Sequence, residues 1–308
     1  MKVSVIIVNY NGKEFLHNCL QACLKSDYSP YEVIVVDNAS TDGSVSYVRE
    51  RLKDAHVPIK IIANEKNVGP SMARNQATQL ATGELLAFLD NDCAPEKSWM
   101  KAGVAHFSEE DIGALQCKLL LDSDYVSIDS VGYYMSRFGF LVQRAPLGKF
   151  KDHGQFNLPT EIFGAKSAAM FVRRKSFDAV GGFDPDFFIY LEETDLCWRI
   201  WLSGYRILYA PRSVVYHVSG TTRKISPKVA EHLLYFHGTK NYITMLLKNL
   251  SISDMAFTLP VHLILWFLIL AFMFLKGRKT AGLLIIQGMT WNLRKASQTL
   301  RKRNGRAR

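Results

Sequence analysis

Three copies of Asp-x-Asp stand in this chain, at Asp90/Asp92, Asp122/Asp124 and Asp184/Asp186. Paired carboxylates at this spacing suit a hard divalent cation such as Mg²⁺ or Mn²⁺, which takes one or two carboxylates and fills its remaining positions with phosphate and water oxygens. About one copy per 300 residues is expected by chance at ordinary Asp usage. Spacing alone therefore selects none of the three, and their surroundings must. Asp90-Asn91-Asp92 follows the apolar run LLAFL and precedes Pro95, so two carboxylates are delivered at the end of a strand, with a helix expected to start near Pro95. Asp122-Ser-Asp124 also follows an apolar run, whereas Asp184-Pro-Asp186 lies in a Gly/Phe-rich loop.

Other chemistry-bearing groups cluster in four places. VVDNASTDGS puts Asp37 at a strand end and follows it with a polar turn in which Thr41 or Asp42 caps the next helix. NEKNVGPSMARNQA offers Asn67 and Gly69 for a turn with positive φ, then a helix whose first turns carry Arg74 and Asn75. LEETDLCWRIW opens a helix on Glu192, Glu193 and Asp195. That is ordinary dipole complementation, and beside the aromatic approach FFIY it is also a place for a general base with a tuned pKa. His217 closes the run VVYH; a strand-end imidazole near two aspartates suits metal or phosphate contact. Neither GxGxxG nor GxxxxGK[ST] occurs, so no dinucleotide fingerprint and no P-loop is offered.

The elements that must hold these groups are legible in the first third. VSVIIVNY (3–10), EVIVVD (32–37), PIKIIAN (58–64) and ELLAFLD (84–90) are near-continuous apolar runs separated by amphipathic stretches, the pattern of a parallel sheet covered on both faces. Each ends in a polar residue, Asn9, Asp37, Asn64 and Asp90. Ligands of open α/β sheets bind at the carboxyl ends of the strands, so these four line one rim. Residues 112–225 predict mixed additions to the sheet and a flexible Tyr/Gly-rich loop at 124–150 on the acceptor side. A helical stretch follows from Pro227 to about Leu250.

The chain has 308 residues and is 48% hydrophobic, enough for one sizeable core or two smaller ones. Its net charge of +10 is localised: residues 276–308 hold ten Lys or Arg and no acid, while the rest balances. A basic tail with Trp291 as its sole aromatic does not describe a nucleic-acid-binding domain, and no nucleic acid is expected as a partner. Five cysteines without a CxxC pair indicate a reducing compartment. The N-terminus is the first strand, unlike a signal peptide. Residues 255–275 carry no charge in 21 positions, long enough to meet a bilayer, and a basic Lys-Gly-Arg-Lys cluster follows; a buried core helix is the alternative.

In order, VIIVNYNG, VVDNASTDGS, NVGPSMARNQ, LLAFLDND, GGFDPDFFIYLEETDLCWR and HVSG resemble glycosyltransferase family 2, most closely its rhamnosyltransferase-like branch, over residues 3 to 220. The resemblance implies the GT-A fold, a nucleotide-diphosphate sugar donor, Mg²⁺ or Mn²⁺ as cofactor, and inversion at the sugar carbon. It places Asn9 and Asp37 at the base and ribose, with Asn67, Arg74, Asp90 and Asn91 completing the donor-binding set. Asp92 and His217 become the metal-side pair. The family's acid pair is usually Glu-Asp with the second member as base; here it reads Glu192-Glu193, so the base falls to Glu193, with Glu192 and Asp195 shaping the acceptor site. The expected division is a catalytic domain at 1–225, a connecting helix at 226–253, and a membrane-associated segment with a basic tail at 254–308.

Sugar nucleotides are made in the cytoplasm, and the basic tail favours the same side. One straight span would separate the two. Residues 255–275 and the second apolar stretch, 281–291, are therefore expected as a re-entrant hairpin or as interfacial helices bent at Pro260 and Gly277, at the cytoplasmic face of the cell membrane and drawn to anionic lipid. A membrane location implies a lipid-linked glycan acceptor in surface polysaccharide synthesis, with dTDP-rhamnose the first donor to try. Two other classes remain at this point, a nucleotidyltransferase and a catalytically silent membrane scaffold of the same fold.

Overall fold

The structure is a computed structural model, and it describes residues 1–51, 55–220 and 227–304. The expected parallel unit is present. Strands β1 (Val3–Asn9), β2 (Tyr31–Asp37), β3 (Ile59–Ala63) and β4 (Leu85–Asp90) are joined by helices α1 (Lys13–Leu24), α2 (Ser44–Arg51) and α3 (Gly69–Leu80). The strands lie in the order β3-β2-β1-β4, all parallel. Their Val, Ile and Leu side chains alternate between two buried layers: Val3, Val5 and Ile7 pack with α1, and Ile6, Ile34 and Phe88 pack with Ala73 and Ala77 of α3. Each such burial contributes about 1.5–3 kcal/mol, which is why apolar runs on both faces decide the sheet. Pairing is in register at the carboxyl ends, Asn9 beside Asp37 and Val8 beside Asp90.

Beyond β4 the sheet becomes mixed. Strands β6 (Ile112–Leu121), β11 (Ala169–Arg173) and β12 (Arg206–His217) extend it, with β11 antiparallel between β4 and β6 and β12 parallel to β6; β10 (Thr160–Glu161) closes the edge. Cys93–Pro95 is the short strand β5, antiparallel to β12, so the helix expected near Pro95 starts instead at Trp99, as α4 (Trp99–Val104). A proline is tolerated in β5 because this strand pairs on one side only. Residues 124–150, expected as a flexible loop, contain β7 (Ile128–Ser130) on the edge of β6 and a hairpin of β8 (Tyr133–Met135) and β9 (Leu141–Gln143).

Helix α5 (Arg174–Ala179) leads to α6 (Glu192–Leu202). After β12 come α7 (Pro227–His232), a π-helical turn at Leu233–His237, α8 (Gly238–Asn249), the apolar helix α9 (Ile252–Leu275) and α10 (Lys279–Asn304). Helix α8 shares a third core with α6, in which Met245, Leu246 and Leu250 meet Phe187 and Trp198. At about 1.5 Å per residue the 24 residues of α9 run about 36 Å, with Thr258 and His262 as its buried positions. Helix α10 returns alongside α8: Asn292 bonds to Thr244 Oγ1 at 2.8 Å and to the Lys240 carbonyl at 2.9 Å, and Arg303 caps the Leu250 carbonyl at 2.7 Å. Ala281, Leu284 and Ile285 of the second apolar stretch are buried in the protein.

Candidate active site

The strand ends build a cleft of about 410 Å³. Asn9 and Asp37, expected at the base and ribose, do not line it: they are 0% and 1% exposed and are bonded to one another at 3.0 Å. The second Asp37 oxygen accepts from Ser40 N at 2.8 Å, so this carboxylate organises the turn that follows β2. The residues that reach the cleft are the next ones along, Tyr10, Asn11, Gly12 and Asn38, with Asn67, Arg74, Asp90, Asn91 and Phe188 around them. Asn91 donates to Asn9 Oδ1 at 2.7 Å, which draws the turn after β4 over β1. That approach requires glycine at position 12, because a Cβ there would stand 2.3 Å from Asn91 Nδ2. Asp42 does cap, and twice: it accepts from Lys13 N at the start of α1 and from Ser44 N at the start of α2.

Asn67 is exposed at the cleft and accepts from Gly69 N at 2.9 Å, forming the turn with positive φ that launches α3, with Pro70 in the first helical turn. Arg74, one turn later and 4% exposed, joins two walls: its guanidinium donates to Asp90 Oδ1 at 2.9 Å and to Glu192 Oε1 at 2.8 Å. Helix α3, β4 and α6 are thereby tied together.

The three acids of α6 divide their work. Glu192 is held by Arg74. Asp195, fully buried, is taken by Arg199 at 2.8 Å, Lys248 at 2.9 Å and Asn249 at 2.8 Å, which makes it a structural ion-pair centre. For Glu193 no ion pair is found among the described residues, and burial followed by the neighbouring Glu192 carboxylate pushes its pKa well above the ordinary glutamate range.

Pairing of β5 with β12 sets Cys93 opposite His217, and so brings Asp92 to the imidazole at 3.3 Å. His217 Nδ1 lies 2.9 Å from Asp129 Oδ2, and Lys166 bonds the same oxygen at 2.7 Å. Burial would lower the His217 pKa, but Asp129 and Asp92 outweigh it and push it up to about 9. Among the described residues Asp129 Oδ1, which is buried, has no hydrogen-bond partner. Ligand atoms of Asp92, Cys93 and His217 lie within 4.8 Å of one another. The Cys93 thiol donates to the Ala168 carbonyl at 3.3 Å and is held protonated by burial, which leaves one carboxylate and one imidazole. With Asp129 behind the imidazole this is the carboxylate–histidine arrangement that orients a metal ligand, and it suits a divalent cation that keeps phosphate and water oxygens. Sequence reasoning missed Asp129 and Lys166, which lie in the irregular middle of the chain.

The other two Asp-x-Asp copies have different employment. Asp124 accepts from Val126 N, Ser127 N and Ser127 Oγ, closing its own turn. Asp184 and Asp186 hold Lys302 at 2.6 and 2.8 Å, and Asp184 also holds Lys248 at 2.7 Å. Lys302 and Arg303 of the basic segment are thus spent inside the protein, while Arg306 and Arg308 of the expected lipid-binding tail lie outside the described residues.

Comparison with known proteins agrees with this architecture. The sequence model of glycosyl transferase family 2 matches residues 4–181. Glycosyltransferase AglE of Haloferax volcanii is 40% identical over 108 residues, 34% of this chain and 35% of that protein. The O-antigen biosynthesis protein RfbC of Myxococcus xanthus is 27% identical over 240 residues, 76% of this chain and 19% of that protein. The chain thus spans little more than a third of the one relative and a fifth of the other. Among solved structures, GalNAc-T7 with UDP, GalNAc and Mn²⁺ superposes with a TM-score of 0.62 at 21% identity, covering 80% of this chain and 47% of that one. Mannosyltransferase PcManGT of Pyrobaculum calidifontis, in complex with GDP-Man and Mn²⁺, gives 0.58 at 19% identity, covering 98% and 84%. The mixed sheet, with its parallel half and its β11 inserted antiparallel, is the GT-A fold. The family model covers more than half of the chain, and the chain belongs to glycosyl transferase family 2.

Proposed function

We propose that this protein transfers a sugar, with inversion, from a nucleotide-diphosphate donor to a hydroxyl of a lipid-linked glycan acceptor in surface polysaccharide synthesis. The observation that carries the reading is the division of labour at α6: of three adjacent acids, two are committed to cations and Glu193 is not. A carboxylate with a raised pKa is a stronger base toward an acceptor hydroxyl. In this reading the nucleoside lies in the cleft over Asn9 and Asp37, bounded by Tyr10, Asn38 and Asn67. Arg74 fixes Asp90 and Glu192 on either side of it, and Asp92 and His217 hold Mg²⁺ or Mn²⁺. The cation's chemistry is to offset negative charge on the departing diphosphate. Glu193 then takes the acceptor proton as that oxygen attacks the sugar carbon from the face opposite the diphosphate, and one displacement gives inversion.

Membrane association is part of the proposal. Apart from Thr258 and His262, α9 leaves its apolar side chains exposed or half-buried. Its two ends are both tied to the neighbouring C-terminal helices, at Leu250 by Arg303 of α10 and beyond Gly277 by the Arg278–Glu231 ion pair to α7 at 2.9 Å. These ties favour a helix lying in the interface at the cytoplasmic face over one crossing the bilayer. The test is transfer from a panel of nucleotide sugars, dTDP-rhamnose first, to lipid-linked acceptor with Mn²⁺. Glu193→Gln is expected to bind donor as the wild type does and to lose turnover; wild-type turnover in that variant refutes the assignment of the base.

A further inference from the structure

The segment that delivers Glu192 and Glu193 has an unusual backbone. Phe188 (φ 57°, ψ −71°), Tyr190 (φ 69°) and Leu191 (φ 64°, ψ 4°) all have positive φ, and none is glycine. The Ile189 amide bonds back to the Phe187 carbonyl at 2.7 Å, closing a three-residue γ-turn around Phe188. Such conformations persist only where their surroundings impose them. Here one side chain faces the whole turn. Asn241 of α8, fully buried, directs its Nδ2 to the carbonyls of Phe187, Ile189 and Tyr190 at 2.8, 2.7 and 2.7 Å. Lys240 bonds the Asp186 carbonyl, and Lys302 of α10 grips Asp184 and Asp186 at the start of the segment. From the donor side, Ser71 of α3 bonds the Phe188 carbonyl at 3.1 Å.

We infer that Asn241, backed by Lys302, is a positioning residue for the transfer reaction: the C-terminal helices hold residues 184–191 in the strained path that aims Glu193 at the acceptor hydroxyl. Packing alone does not require this. A buried asparagine facing a regular helix would satisfy one carbonyl, whereas Asn241 gathers three that diverge from a non-regular turn, and that turn runs directly into the acidic end of α6. The inference rests on Glu193 being the base. Its distinct content is that α8 and α10 belong to the catalytic apparatus, Asn241 and Lys302 lying 48 and 109 residues in sequence from the Glu193 they serve.

The test uses the full chain, Mn²⁺, donor and acceptor, with the variants Asn241→Ala and Lys302→Met. Lys302 is partly exposed, and Asp184 keeps its pair with Lys248 when Lys302 is lost, so Lys302→Met is the milder variant and serves where Asn241→Ala fails to fold. A base displaced by about 1 Å costs up to about 100-fold in rate. Expected for Asn241→Ala is a 10- to 100-fold lower kcat with donor KM within twofold, a displaced acid limb of the kcat pH profile, and faster amide exchange confined to residues 186–193. Lys302→Met shows the same pattern at smaller amplitude. Wild-type kcat in a folded Asn241→Ala protein, or in Lys302→Met where that is the variant that folds, overturns the inference. So does a loss of kcat with an unmoved pH profile and unmoved exchange. Failure of the functional reading looks different: Glu193→Gln retains turnover, whatever the Asn241 variants do.

Discussion

Arg74 offers the sharpest quantitative test, because its two carboxylate partners sit in different surroundings. Replacing it with Met removes hydrogen-bonded ion pairs to Asp90 and Glu192, whose side chains are 35% and 5% exposed. Asp90 regains water, so its loss stays within about 1 kcal/mol. Glu192 does not, and a buried carboxylate stripped of its cation costs about 3–5 kcal/mol. Nearly all of the destabilisation of Arg74→Met is therefore assigned to Glu192. Urea unfolding of a double-mutant cycle measures it. Adding Glu192→Gln to Arg74→Met is expected to recover about 2–3 kcal/mol, whereas adding Asp90→Asn recovers less than about 1 kcal/mol. A single-variant cost below about 1 kcal/mol, or a larger recovery from Asp90→Asn than from Glu192→Gln, refutes the argument that burial decides which half of the bridge matters.

Other expectations concern the metal-side pair, the clamp and the cleft. Asp129→Ala should weaken Mn²⁺ binding by about 10- to 100-fold by calorimetric titration, since it removes the carboxylate that orients His217; Asp124→Ala, whose carboxylate only closes its own turn, should leave the affinity unchanged. Burial would raise the Asp184 carboxyl, but Lys248 and Lys302 hold it below the ordinary aspartate range. Its stabilising contribution is thus complete above about pH 4 and lost as the pH falls further, so thermal unfolding of Asp184→Asn should show a flatter decline below pH 4 than the wild type. Gly12→Ala should raise donor KM severalfold while kcat at saturation holds, because the new methyl displaces Asn91 from the cleft wall; unchanged KM would mean that this wall does not touch the donor.

The parallel half of the sheet was legible because its strands are buried on both faces, and only uninterrupted Val/Ile/Leu runs satisfy that environment. The rim followed from it, since Asn9, Asp37 and Asp90 are simply where those runs stop. Of the three Asp-x-Asp copies, the first puts Asp90 in the cleft and Asp92 beside His217, whereas Asp124 closes a turn and Asp184 and Asp186 receive lysines. What escaped the sequence depends on distant partners. Asp129 meets His217 across 88 positions, and Lys302 meets Asp184 across 118, and no local pattern encodes either encounter. Pro95 was misread for a different reason: the residue that starts many helices is also tolerated on a strand with one neighbour. Lys302 was counted with the lipid-facing tail because its partners Asp184 and Asp186 lie 118 and 116 residues earlier in the chain.

The excursion between β7 and β10 leaves the sheet at Ser130, paired with Leu119, and rejoins it at Thr160, paired with Tyr209. Both attachment points are fixed by the ladder, while the intervening chain exposes Tyr134, Phe138, Val142, Leu147 and Phe150 around the β8–β9 hairpin. Closing such a loop costs only about 0.6 kcal/mol more for each doubling of its length. The excursion is nonetheless anchored between those points: Val131 and Ala145 are buried in the core, Tyr133 bonds Thr194 of α6 at 2.8 Å, and Asp152 holds Lys118 at 2.6 Å. The exposed side chains of the hairpin are the exchangeable part, and changing them would alter what the protein presents beside α9 while Asn9, Asp37, Arg74 and Asp90 keep their places.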